Sequence, residues 1–110
     1  MSSAQDITRF AFKMKLKEGY EDEYKKRHDM LWPELKALLM EQGIHDYSIF
    51  LDRETNTLFA IQKIAGSKGS QDLGQNPFVK KWWAYMADIM DTNADQSPVI
   101  VPLREVFYLP

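Results

Sequence analysis

Residues 23–35 read EYKKRHDMLWPEL, directly after the acidic pair Glu21 and Asp22. Clustered carboxylates suit a helix N-terminus, where the aligned peptide dipoles leave partial positive charge. At helical spacing Tyr20, Tyr24, His28, Leu31, Leu35, Leu38 and Leu39 fall on one stripe, the face a surface helix turns toward a core. The stripe predicts a helix reaching about Gln42, with Gly43 as its stop. Pro33 has no N–H, and its ring would clash with the carbonyl of Asp29. It therefore either kinks this helix near Trp32 or starts a second one. His28 stands where an apolar residue belongs, on the same side as Tyr24. An imidazole so placed is either a core residue hydrogen-bonded to the backbone or a catalytic group.

Upstream, residues 7–16 (ITRFAFKMKL) alternate, with Phe10, Phe12, Met14 and Leu16 on one face and Arg9, Ala11, Lys13 and Lys15 on the other. A period of two predicts a half-buried strand. Downstream, residues 44–52 and 57–64 are rich in strand formers and joined by Arg53-Glu54-Thr55-Asn56, a hairpin signal. His45, Tyr47, Ile49 and Leu51 are expected to share one face of the first of these strands. Residues 65–77 (AGSKGSQDLGQNP) form a glycine-rich loop of the kind that lines binding sites.

From Phe78 the helical period returns. Val79, Trp83, Met86 and Met90 recur on one face, Trp82 and Ile89 flank it, Asn76 or Gln75 is available as a cap, and Pro77 suits the first turn. The final run VPLREVFYLP alternates and is expected to be tied into the sheet. The order β-α-β-β-α-β predicts an α+β, ferredoxin-like domain over residues 1–110, with an antiparallel sheet and helices on one face; residues 1–8 read as a loose extension. Apolar residues on both faces of several strands predict that a second copy covers the open face, giving a homodimer of the dimeric α/β-barrel type.

Composition narrows the function. Net charge is −2 with the signs interspersed, which excludes nucleic acid as a partner class. There is no cysteine, so thiol nucleophiles, disulfides and cysteine-based metal sites are excluded together. No run reaches the ~18 apolar residues of a membrane span, and the polar start MSSAQDIT is unlike a signal peptide; a cytoplasmic location is expected.

Few residues are left to carry chemistry. His28 suits general acid–base work because imidazole titrates close to neutral pH. His45, beside Asp46 at a strand start, is the competing histidine and reads more simply as solvated. No HxxxH or HExxH spacing joins the two, so no metal is expected. Trp82 and Trp83 point about 100° apart on a helix. Trp83 is expected in the core and Trp82 half-buried, or else the pair forms an aromatic wall. With Tyr24, Tyr47 and Tyr85 such a wall suits a sugar, whose axial C–H groups form an apolar face rimmed by hydroxyls. No phosphate-cradling loop or nucleophile elbow is present, which leaves a cofactor-free reaction or simple binding.

These residues resemble a known family, the L-rhamnose mutarotases. The resemblance rests on Glu23-Tyr24-Lys25-Lys26-Arg27-His28 with Leu31-Trp32-Pro33-Glu34-Leu35, on Asp46-Tyr47-Ser48-Ile49 with Leu51-Asp52, and on Lys81-Trp82-Trp83 with Tyr85-Met86-Ala87-Asp88-Ile89-Met90. Asp95-Gln96-Ser97-Pro98-Val99 and the ending Glu105-Val106-Phe107-Tyr108-Leu109-Pro110 complete it. It spans nearly the whole chain from about Arg9 and lapses in the loop 65–77. The resemblance implies a ferredoxin-like dimer that interconverts the α and β anomers of L-rhamnose, or of a related deoxy-hexose, without metal or cofactor. It also implies that His28 is the proton donor and that Tyr24, Tyr47, Trp82 and Trp83 contact the sugar. The alternatives are a non-catalytic sugar-binding module and a cofactor-independent monooxygenase on the same frame.

Overall fold

The computed structural model describes residues 6–110. The elements are β1 (Thr8–Lys15), α1 (Glu21–Asp29), α2 (Pro33–Glu41), β2 (Ile44–Asp52), β3 (Thr57–Ile64), α3 (Pro77–Met86) and β4 (Val101–Leu103), with a 3-10 turn at Ser70–Asp72. All strand pairs are antiparallel and the sheet order is β2-β3-β1-β4, the ferredoxin-like arrangement expected from the element order. Most of the proposed N-terminal extension lies outside the described residues, but its last residue does not. Thr8 pairs with Ile64 as the first rung of β1.

The inward faces of β1 and β3 supply Phe12, Met14, Leu58 and Ala60, and the helices close over them with Tyr24, Leu35, Val79, Trp82 and Met86. Among the described residues, no helix is long and apolar enough to cross a membrane.

The stretch 21–42 is two helices rather than one kinked helix. α1 ends at Asp29, where the N–H groups of Met30 and Leu31 turn back to the carbonyls of Lys26 and His28. Trp32 is extended (φ −60°, ψ 132°), the region to which a residue before proline is driven, and Pro33 opens α2. With the chain extended there, Trp32 packs against Trp82 and Tyr85 of α3. At the far end Gly43 stops α2 as expected, with φ +84°.

β2 departs from simple alternation. Between the pairs His45–Lys63 and Ser48–Ile61, two residues of β2 oppose one of β3, and Asp46 takes φ 47°. This bulge reverses the parity of the strand. Tyr47, Ile49 and Leu51 turn toward the helices together with Ile44, whereas His45 does not share their face and is exposed, contrary to the expectation.

In α3 the Asn76 side chain accepts from the N–H of Phe78 at 2.8 Å, with Pro77 in the first turn. The tryptophans exchange their expected places: Trp82 is buried with Val79 and Met86, and Trp83 is half-buried. The C-terminal strand is also shorter than its alternation suggests. Only Val101–Leu103 pairs with β1, and the chain then leaves the sheet with Val106 89% exposed. Arg9 holds this tail, pairing with Glu105 at 2.7 Å and lying 3.4 Å from the centre of the Tyr108 ring.

Candidate active site

A cleft of about 920 Å³ opens between the inward face of the sheet and the helices. Tyr24, His28, Tyr47, Ser70, Trp82 and Trp83 are among the residues that line it. The five residues that the family resemblance implies thus meet at one cavity, although they come from α1, β2 and α3; Tyr85, the third tyrosine of the expected wall, is not among the residues that line it.

His28 is half-buried on the last turn of α1. Its ring stacks on Tyr24, one helical turn earlier, with centroids 4.3 Å apart, and meets the edge of Trp82 at 5.3 Å. Nδ1 lies 3.0 Å from the backbone oxygen of Tyr24. A carbonyl has no proton to give, so Nδ1 carries the hydrogen and Nε2 of the neutral ring holds a free lone pair. Burial lowers the imidazole pKa below its ordinary value; the bond to the Tyr24 carbonyl and the nearby Asp29 oppose this without cancelling it.

Burial raises the pKa values of both tyrosines. Desolvation lifts Tyr24 well above the usual phenol range, and the nearby Tyr47 adds to the effect. Burial likewise raises Tyr47, against hydrogen bonds from Ser70 and Gln62 that favour the phenolate. Both are therefore neutral O–H groups at physiological pH. Among the described residues nothing holds the Tyr24 hydroxyl in a hydrogen bond, and no buried side-chain oxygen or nitrogen lacks a partner. The Tyr24 oxygen consequently opens onto the cleft.

Trp82 is the hub of an aromatic cluster. Trp32 meets it edge-on at 5.2 Å and Tyr85 at 5.7 Å, while Trp32 and Tyr85 stack at 5.8 Å. Trp83 instead packs beneath the loop 65–77. A Cβ on Gly74 would come within 2.9 Å of the Trp83 ring, so the loop lies flat on the indole because glycine stands there. The glycine-rich loop thereby becomes a wall of the site.

Arg27 was not expected from the sequence. With its side chain only 10% exposed, it pairs with Glu23 at 2.7 Å and Asp88 at 2.8 Å, and donates to the carbonyl of Tyr85 at 2.7 Å. It fastens α1 to the end of α3, between the residues that carry His28 and Trp82. The signal was present as the i,i+4 pair Glu23–Arg27. Gln62 was also missed. It is fully buried at an inward position of β3, where Leu58, Ala60 and Ile64 are apolar, and a polar residue in such an alternation is itself a signal.

His45 lies at the cleft's edge with Nδ1 3.1 Å from the carbonyl of Gly43. Among the described residues, no group of three or more His, Asp or Glu side chains is placed to hold a metal ion. The cleft therefore offers an apolar aromatic wall, two neutral phenols, indole N–H groups and one unprotonated imidazole nitrogen. That set can bind a polyhydroxylated ring and move a proton between two of its oxygens.

Comparison with known proteins agrees with this chemistry. Residues 9–109 match the family model described as L-rhamnose mutarotase. Curated L-rhamnose mutarotases from Formosa agariphila and Bacteroides thetaiotaomicron are each 63% identical over 103 residues, covering 94% of this chain and 99% of theirs. The crystal structure of L-rhamnose mutarotase from Formosa agariphila superimposes with a TM-score of 0.87 at 59% identity, covering 94% of this chain and 99% of that one. A Caulobacter crescentus protein assigned to the antibiotic biosynthesis monooxygenases shares the fold alone, with a TM-score of 0.60 and 19% identity over 94% of this chain and 93% of that one. The sequence match extends through every element that builds the cleft, and on that ground the chain belongs to the L-rhamnose mutarotase family.

Proposed function

We propose that this chain interconverts the α and β anomers of L-rhamnose, with His28 moving the proton and Tyr24, Tyr47, Trp82 and Trp83 holding the sugar. The observation that carries this is the 3.0 Å contact between His28 Nδ1 and the Tyr24 carbonyl, which leaves Nε2 basic at the cleft. Mutarotation requires loss of a proton from the anomeric hydroxyl and gain of one by the ring oxygen. These two oxygens share one carbon, so a single nitrogen within hydrogen-bond reach of both can serve each in turn. Nε2 takes the hydroxyl proton; the imidazolium then gives it to the ring oxygen as the C–O bond breaks. The aldehyde end rotates, and the same steps in reverse close the ring on the other face. His28 is thus base first and proton donor second. A positioned group of this kind contributes typically ~10²- to 10⁴-fold.

The aromatic wall suits the rhamnose ring and its methyl group, while the two phenols and the indole N–H groups suit its hydroxyls. The fold shared with the monooxygenase relative does not bear on the reaction, since one frame hosts many chemistries. Within the same proposal, residues 1–110 act as one mutarotase domain in the cytoplasm. Two copies pair through the open face of the sheet, where Phe50, Ile61, Val101 and Leu103 are exposed.

The test is exchange between the two anomeric NMR signals of L-rhamnose. Catalytic amounts of protein should bring them into rapid exchange, and His28→Ala should return the rate to its spontaneous value while the circular dichroism spectrum is unchanged. Saturable binding of rhamnose without faster exchange would make the protein a sugar-binding module. Undiminished exchange in the His28 variant would remove the imidazole from the mechanism.

A further inference from the structure

In the wall of the cleft lies a chain of polar groups that fixes the direction of a hydrogen bond. Gln62 is fully buried, and its Oε1 accepts from the backbone N–H of Ser70 at 2.9 Å. A backbone N–H can only donate, so the orientation of the amide is settled and Nε2 faces the other way. Nε2 donates to Ser70 Oγ at 2.9 Å, and Gln71 Nε2 donates to the same oxygen at 3.2 Å. Two donors occupy both lone pairs of Ser70 Oγ. Its own proton is then directed to its remaining neighbour, the hydroxyl of Tyr47, at 3.5 Å. Tyr47 receives a hydrogen bond from the protein side and keeps its own proton for the cleft.

We infer that Gln62 and Ser70 are positioning residues that hold the Tyr47 hydroxyl as a hydrogen-bond donor to an oxygen of the bound sugar. This rests on the proposed sugar site. Aimed this way, the phenol meets a sugar oxygen on which negative charge grows during ring opening. Reversed, it would spend its proton on Ser70 and present only a lone pair. The hydrogen bonds from Ser70 and Gln62 also counter the burial that raises the Tyr47 pKa.

Gln62→Glu is the informative variant. A protonated carboxyl there has the donor and acceptor of the amide in the same places, and the relay survives. Once ionised, the carboxylate accepts from both Ser70 N–H and Ser70 Oγ–H, so Tyr47 turns its proton toward Ser70. Anomer exchange in this variant, above the spontaneous rate, should match wild type at low pH relative to wild type's own profile. It should then fall about tenfold as the introduced carboxyl ionises, the scale of one lost hydrogen bond. A variant profile parallel to wild type at every pH would overturn the proposal.

Should Gln62→Glu not fold, Ser70→Ala decides. It should slow exchange several-fold in the wild-type background and not at all in Tyr47→Phe, because Ser70 acts through the missing hydroxyl. Equal losses in both backgrounds would make Ser70 merely structural. A separate readout guards against failure of the functional proposal itself. In protein labelled with 13C at the tyrosine ζ carbon, Ser70→Ala should raise the Tyr47 phenol pKa whether or not rhamnose exchanges; an unchanged titration would overturn the relay alone.

Discussion

The ring of His28 is tethered to the residue one helical turn before it: Nδ1 stands 3.0 Å from the Tyr24 carbonyl, and the two rings stack at 4.3 Å. Sequence spacing put these side chains on one face, and helix geometry converts that spacing into a fixed tautomer. Because α1 ends within two residues, the tether sits at the helix's last turn, where the ring can lie against Trp82 of α3 at 5.3 Å. One contact thus orients the imidazole, and a second presses it to the wall of the cleft.

A pH dependence follows. Burial holds the His28 pKa below the ordinary 6.5, so the basic form already predominates at neutral pH. Catalysed exchange should be flat through neutrality and fall as acid protonates Nε2, with a midpoint below 6.5. Stability should follow the same sign. Above 6.5 both folded and unfolded chains carry a neutral ring and the residue contributes nothing; below it the unfolded chain takes up a proton that the folded chain resists, so stability drops as pH falls. A histidine Cε1–H NMR titration read beside the pH–rate profile checks both. A rate midpoint above 6.5 would contradict the burial argument.

The exchanged places of the tryptophans predict different phenotypes. Trp82 is 8% exposed and touches His28, Trp32 and Tyr85. Trp82→Ala should therefore cost stability on the scale of a large core deletion, about 3–5 kcal/mol, along with activity. Trp83 is half-buried under Gly74, so Trp83→Ala should weaken rhamnose binding while unfolding free energy changes by about 1–2 kcal/mol at most. Urea unfolding and rhamnose titration of both variants separate the effects; a Trp82 variant of native stability would show the cluster to be loosely packed.

The element order, the sheet and the shared face of Tyr24 and His28 were legible because each rests on local period, whereas the tryptophans' place beside them followed from the family resemblance. Pro33 left two outcomes open, and the structure takes the second helix rather than the kink. What escaped was set by single residues whose effect is not periodic: the left-handed Asp46 reversed the face of β2 and sent His45 outward. Trp82 took the core place because Trp32, freed by that split, came across to cover it, a contact between segments 50 residues apart. Arg27 and Gln62 do their work through partners brought near only by the fold, Asp88 and Ser70. The C-terminal run alternates like a strand yet finds a partner only as far as Leu103.

Gly43 is held by two constraints. Its φ of +84° suits glycine, and a Cβ there would approach the backbone nitrogen of Gly66 to 2.9 Å. Backbone cannot move aside as a flexible side chain can, and the N–H of Ala65 donates to the Gly43 carbonyl at 2.9 Å across the same junction. Gly43→Ala should therefore destabilise by more than the ~1 kcal/mol of left-handed strain alone. It should also disturb the start of the loop 65–77 that leads to Ser70. Gly19→Ala is the control: it shares the positive φ (+86°) but meets nothing within 4 Å, and should show the strain term only. Thermal melts of the two variants should rank in that order, and equal losses would remove the steric contribution.

The outer face of the sheet predicts how subunits associate. Phe50 and Phe59 are cross-strand neighbours, and Ile61, Val101 and Leu103 extend the same surface across β3 and β4. A monomer in water would leave this contiguous apolar surface unpaid, whereas a second copy related by a two-fold axis would cover it with the same residues. Stable interfaces bury about 1,200–2,000 Å² in total, which a four-stranded face can supply. Phe50→Glu puts a charge into that contact from each subunit. Sedimentation should show a dimer for wild type and a monomer for the variant. Because the cleft lies on the opposite, helical side, rhamnose exchange per subunit should fall far less than dimerisation does. A wild type that sediments as a monomer at micromolar concentration would sink the pairing, and complete loss of activity in a folded monomeric variant would mean that the partner reaches the cleft.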